Sequence, residues 1–88
     1  MQISIEISLY PLSENFISPI ENFISRLKKY DSIEVRTNNI NTQLFGEYDL
    51  IKILKVEMEK TFKNETNSAF NLKIVNGDSR KYDLEDRA

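Results

Sequence analysis

The stretch Val35-Arg36-Thr37-Asn38-Asn39-Ile40-Asn41-Thr42-Gln43-Leu44-Phe45-Gly46-Glu47-Tyr48-Asp49 decides the fold. Its flanks alternate apolar and polar side chains with the period of an extended strand, and its middle is rich in asparagine. Asn38 and Asn39 reach positive backbone φ angles more readily than most non-glycine residues, so the pattern predicts a hairpin with strands over 33–37 and 40–45. Gly46 then lets the returning strand turn into a helix. Thr37, Asn38, Asn39, Asn41, Thr42 and Gln43 form the densest set of uncharged hydrogen-bonding side chains in the chain. Amides concentrated at a hairpin suit recognition of a small polar molecule, and they suit turn formation equally.

Toward the amino terminus, residues 2–10 alternate strictly, with Ile3, Ile5, Ile7 and Leu9 against Ser4, Glu6, Ser8 and Tyr10. This is a half-buried strand, ended by Pro11, which has no N–H for a ladder. Ser18-Pro19-Ile20-Glu21 reads as a helix start: a hydroxyl cap, proline at the first helical position and glutamate three residues after the cap. Phe16 and Ile17 stand where a hydrophobic staple would form. Ile20, Phe23, Ile24, Leu27 and Tyr30 then supply one apolar stripe, and Arg26, Lys28 and Lys29 suit the negative pole of the helix.

Toward the carboxyl terminus, a second helix is expected over 47–63, opened by Glu47 and Asp49 at the positive pole of its dipole. Leu50, Ile51, Leu54, Met58 and Phe62 make its buried stripe, and Lys52, Lys55, Glu57, Glu59 and Lys60 its wet side. Phe70, Leu72 and Ile74 alternate with Asn71, Lys73 and Val75 in a last strand, stopped by Asn76-Gly77-Asp78. Residues 79–88 are charged and poor in apolar groups, and are expected to fray.

The order strand, helix, strand, strand, helix, strand predicts an α+β, ferredoxin-like βαββαβ fold. It has a four-stranded antiparallel sheet with both helices on one face, a single domain over residues 1–78 and a polar tail over 79–88. The other face is left for solvent, a ligand or a second subunit. Ser8, Tyr10, Thr37, Asn38, Thr42 and Gln43 are expected near one end of adjoining strands, where Glu47 also arrives at the start of the second helix. These seven are the candidate ligand-binding residues, since hydroxyls and amides converging around an aromatic ring suit a flat polar heterocycle.

Composition narrows the chemistry. At 88 residues the chain is near the lower end of what buries a self-sufficient core, which favours association. Its formal charge of −2 and pI near 5.1, without a cluster of Lys and Arg, give no support for nucleic acid or an anionic membrane as partner. With neither Cys nor His, disulfides, zinc sites, thiol nucleophiles and imidazole catalysis are excluded. Glu6 and Glu34 could pair as acid and base, but carboxylates across a sheet face are common and no reacting centre accompanies them. Glu47 with Asp49 offers too few oxygens for a hard cation. Arg36 with Asn38 matches residue types used by acylphosphatases, without their glycine-rich phosphate cradle, and the aromatic motifs of RNA-recognition domains are missing. No catalytic residues, metal or cofactor are therefore expected. The amino terminus lacks the basic start and apolar core of a signal peptide, no run approaches the ~18 apolar residues that span a membrane, and a cytoplasmic address is expected.

Three segments carry a family likeness: Ile7-Ser8-Leu9-Tyr10-Pro11-Leu12, the stretch from Thr37 to Asp49, and Lys73-Ile74-Val75-Asn76-Gly77-Asp78. In order and spacing they resemble the YkoF-like thiamine-binding protein family, from the first strand to Asp78. The resemblance implies a ferredoxin-like fold, assembly into homodimers or homotetramers through sheets, and binding of thiamine or its hydroxymethylpyrimidine moiety without catalysis. Some members carry two such units, so a complete pair would here need two subunits. Matched against thiamine's own chemistry rather than the family's contacts, Ser8, Asn38, Thr42 and Gln43 would meet the aminopyrimidine, Glu47 or Glu6 would compensate the thiazolium cation, and Tyr10 would offer a π face. Two other readings fit the residues: an oligomeric interaction module without a vitamin ligand, and a regulatory amino-acid-binding domain.

Overall fold

The computed structural model describes residues 1–38, 41–64 and 67–81. Six main elements follow in order: β1 (Gln2–Pro11), α1 (Ile17–Leu27), β2 (Glu34–Thr37), β3 (Thr42–Glu47), α2 (Leu50–Asn64) and β4 (Ser68–Asn76), with a short 3-10 turn at Ser79–Lys81. The sheet is four-stranded and antiparallel, in the order β2-β3-β1-β4. This is the ferredoxin-like arrangement expected from the alternation of strand and helix patterns.

β1 is the anchor because it pairs on both sides, with β3 from Gln2↔Glu47 to Ile7↔Thr42 and with β4 from Ile3↔Asn76 to Pro11↔Ser68. Its odd residues Ile3, Ile5, Ile7 and Leu9 join Leu44 from β3, Phe23 and Leu27 from α1, and Leu50 and Leu54 from α2 in one buried cluster. Both helices therefore cover the same face. Burying one such side chain is worth about 1.5–3 kcal/mol, so β1 alone brings more hydrophobic stabilisation than any one turn or cap.

Several element ends differ from expectation. α1 begins at Ile17, its N-cap is Phe16, and no side chain caps it; Ser18 already lies inside the helix. Pro19 is buried in the first turn, where its missing N–H breaks no helical bond. Phe16 and Ile17 are exposed and make no staple. β3 starts at Thr42 and extends to Glu47, because the turn uses Asn38 and Asn41 and because Gln2 pairs with Glu47. Gly46 thus sits inside a strand. Its lack of a side chain answers a close approach: a Cβ there would lie 3.0 Å from the Ser32 carbonyl oxygen and 3.1 Å from Leu50 Cδ2. α2 begins at Leu50, so Glu47 and Asp49 precede it.

The hairpin turn is closed by a side chain. Asn38 N–H donates to Asn41 O at 3.1 Å, and Asn41 N–H donates to Asn38 Oδ1 at 2.8 Å. No described non-glycine residue has positive φ, Asn38 included; Asn39 and Ile40 lie outside the described residues.

On the far face of the sheet, Ser4 and Phe45 are buried. The segment after β4 folds back over them. Gly77 adopts φ 135°, a conformation open to glycine, Ser4 Oγ donates to Gly77 O at 2.8 Å, and Ser79 N–H donates to Ser4 Oγ at 2.8 Å. Arg80 lies over the Phe45 ring at 4.7 Å and Arg36 at 5.2 Å. The expectation that the tail frays from Ser79 onward is corrected for Ser79–Lys81, while 82–88 lie outside the described residues.

Candidate functional site

Where the second half of β1, the start of β3 and the first two turns of α1 meet, the surface opens into a cleft of about 290 Å³. Its polar wall is Ser8 and Tyr10 from β1 with Asn38, Asn41 and Thr42 from the hairpin; its apolar wall is Ile7, Leu9, Ile20, Phe23 and Ile24. Successive residues of an extended strand point to opposite faces, so Ser8 and Tyr10 come from the far face and Ile7 and Leu9 from the helical one. The cleft therefore wraps the end of the sheet. Among the described residues that line it, none carries a charge.

One atom of that wall is unsatisfied. Asn41 Oδ1 is buried with no hydrogen-bond partner, one of two such side-chain atoms among the described residues, the other being Ser68 Oγ. A buried acceptor left unpaired costs about 1–3 kcal/mol. The Asn41 backbone makes both turn bonds, which leaves its carboxamide outside the closure of the hairpin.

Of the seven residues singled out in the sequence, Ser8, Tyr10, Asn38 and Thr42 share this cleft. Thr37 pairs with Thr42 across β2 and β3 but does not line it. Gln43 belongs to a separate depression of about 400 Å³ on the far face, with Ser4, Glu6, Phe45, Lys73 and Ser79 among its walls. Glu47 is at the opposite end of β3 from Thr42, about 17 Å away at ~3.3 Å per strand residue. There its carboxylate accepts from the N-terminal ammonium at 2.9 Å and from Gln2 Nε2 at 2.7 Å. The hydrogen bond and charge of that ammonium hold Glu47 below the usual carboxylate range. The expected convergence of all seven is thus corrected: a strand residue keeps its place along the ladder, and the helix Glu47 was to open begins later.

Glu6 and Glu34 are not neighbours either. Glu34 aligns through Phe45 with Ser4, and it pairs with Arg36 at 2.6 Å and Arg80 at 3.0 Å.

Among the described residues the most buried carboxylate is Glu57, expected on the wet side of α2 but only 1% exposed. It accepts from Arg26 Nε at 2.8 Å, Tyr30 Oη at 2.8 Å and Lys60 Nζ at 3.2 Å. Arg26 Nη2 also donates to Thr61 Oγ1 at 2.7 Å. Burial pushes the Glu57 carboxyl up, but the bonds from Tyr30, Lys60 and Arg26 outweigh it and leave the group below its ordinary value. An ionised, triply bonded carboxylate between two helices is a tie rather than a proton donor. Tyr30 is raised in turn, first because Glu57 holds its proton and then by burial.

The sequence places Asn41 in the polar group of the hairpin but not among the seven candidates, and it gives no sign of the Phe23 side of the cleft. Phe23 belongs by period to the core stripe, and only the crossing of α1 over the sheet end makes it a wall as well. Among the described residues no helix is long and apolar enough to cross a membrane.

No protein-family model matches the chain, and no curated protein matches it. Solved structures do. Protein SP2199 from Streptococcus pneumoniae is 27% identical with a TM-score of 0.82, over 100% of both chains. A provisionally assigned thiamine biosynthesis/salvage protein from Thermotoga maritima is 14% identical with a TM-score of 0.77, over 99% of this chain and 95% of its own. A domain of unknown function, DUF77, from Bacillus cereus is 17% identical with a TM-score of 0.74, over 97% and 93%. At 14% and 17% identity the likeness is one of fold.

Proposed function

We propose that this chain is a non-catalytic small-molecule binding protein for thiamine or its hydroxymethylpyrimidine moiety, acting as a homo-oligomer. The observation that carries the reading is the cleft: uncharged hydroxyls and amides on one wall, an aromatic and aliphatic floor on the other, at a size near the lower end for small-molecule sites. The likeness of fold to the Thermotoga maritima protein agrees with it. The non-catalytic part rests on the lack of Cys and His and on the engagement of Glu57 and Glu47 with internal partners.

Calorimetry and thermal melts with thiamine, hydroxymethylpyrimidine and the common amino acids test it. A ligand at 100 times its Kd stabilises the fold by about 2.7 kcal/mol. Ser8→Ala weakens binding by roughly five- to tenfold, the loss of one hydrogen bond of about 1 kcal/mol. Gln43→Ala, which alters the separate depression on the far face, leaves it unchanged. The reading fails if no pyrimidine compound shifts the melt, or if Gln43→Ala abolishes binding while Ser8→Ala does not.

A second reading, an oligomeric interaction module without a vitamin ligand, is favoured by the exposed apolar groups Tyr10, Leu12, Phe16 and Ile17 in one short segment. A melt that rises with protein concentration and responds to no ligand would select it.

A further inference from the structure

We infer that the depression between the end of α1 and α2, lined by Arg26, Lys29, Tyr30, Glu57 and Lys60, is a binding site for a phosphate group. The inference goes beyond the pyrimidine reading. This site lies at the last turn of α1 and the cleft at its first two, so either can fail without the other.

The first observation is charge. Arg26, Lys29 and Lys60 bring three cations to a wall that holds one carboxylate, Glu57, a formal surplus of two positive charges in a chain whose total is −2. A phosphate group, with a charge of about −1.5 to −2 at neutral pH, matches that surplus. The second is a guanidinium held ready. Arg26 is fixed by bonds from Nε to Glu57 Oε1 at 2.8 Å and from Nη2 to Thr61 Oγ1 at 2.7 Å, yet 25% of its side chain stays exposed. A group already ordered loses little freedom on meeting a ligand. Lys60 is 51% exposed, and its 3.2 Å bond is the longest of the side-chain bonds to Glu57. Its ammonium can therefore turn to an anion while Arg26 and Tyr30 keep Glu57 satisfied. Lys29 is exposed at the same rim. The buried carboxylate thus orients the cations around the depression. The third is size. At about 190 Å³ the site falls below the ~300–1,000 Å³ of pockets that enclose a whole metabolite, and it suits a single charged headgroup. Arginine and lysine are the side chains that bond phosphate oxygens most strongly.

The full chain is titrated at fixed ionic strength with inorganic phosphate, phenyl phosphate and chloride, followed by calorimetry and by amide shifts in nitrogen-15 NMR. Phosphate saturates, and the amides of Lys29, Tyr30 and Lys60 move while those of Ser8 and Thr42 stay. Lys29→Glu, at an exposed position outside the helix tie, weakens phosphate by roughly tenfold or more, the loss of a charged hydrogen bond, and leaves the urea midpoint unchanged. Lys60→Gln weakens it by a similar factor and decides the matter where Lys29→Glu fails to fold. Tighter binding of the ester supports the site and makes a phosphorylated compound its ligand; tighter binding of the free ion supports it and makes inorganic phosphate the ligand. The inference is overturned if chloride reproduces the shifts, if the shifts fall on the cleft instead, or if either variant binds phosphate as wild type does.

Discussion

At Gly46 and Asn41 a single atom decides what the position tolerates. A Cβ at Gly46 would press on a backbone oxygen at 3.0 Å, which cannot rotate away as a side chain would. Gly46→Ala is therefore expected to lower stability by about 1–3 kcal/mol, the range for overpacking, measured as a shift of the urea midpoint at constant slope. Asn41 is the opposite case. Its Oδ1 is buried without a partner among the described residues, at a cost to stability of about 1–3 kcal/mol.

Between elements, the tie from α1 to α2 runs through Glu57, and its pH dependence follows from the two shifts. The folded pKa of Glu57 lies below its ordinary 4.5, so its contribution is complete above that value and lost as pH falls through the folded one. That of Tyr30 lies above 10.0, so its contribution is complete below 10.0 and lost as pH rises through the folded value. Stability should be flat between these limits, and Tyr30→Phe should remove the alkaline decline, read as the urea midpoint against pH. Glu57→Gln keeps the shape and loses the charge, and should cost about 1.5–3 kcal/mol, toward the lower end because Arg26 and Lys60 still reach water. The 3-10 turn depends on Ser4 in the same way. Ser4→Ala removes both of its bonds, and the Ser79 amide should then exchange hydrogen at least tenfold faster, with Phe45 losing its cover.

For the molecule as a whole, β1 is the load on which sheet and helices depend. Ile5 pairs with Leu44 and Ile74 and is 1% exposed, so Ile5→Ala should cost about 2–5 kcal/mol in chemical denaturation. Homo-oligomers, proposed with the function, would make the melting temperature rise with chain concentration. A concentration-independent melt together with a monomeric mass in sedimentation would dismiss that part of the proposal.

Period and punctuation in the chain determined the order of elements, the face that each of Ile3, Ile5, Ile7, Phe23 and Leu54 buries, and the single-sided cover of the sheet. These follow from local geometry: alternation by two or by three to four is a property of neighbours along the chain. The tertiary structure alone decided that Glu57 and Thr61 are buried, that Phe45 lies under Arg80, that Gly46 is small because Ser32 passes by, and that Gln43 and Glu47 leave the cleft while Asn41 joins it. Each of those outcomes depends on a partner more than ten residues away in sequence or on where a neighbouring element happens to end, and residue periodicity holds no record of either.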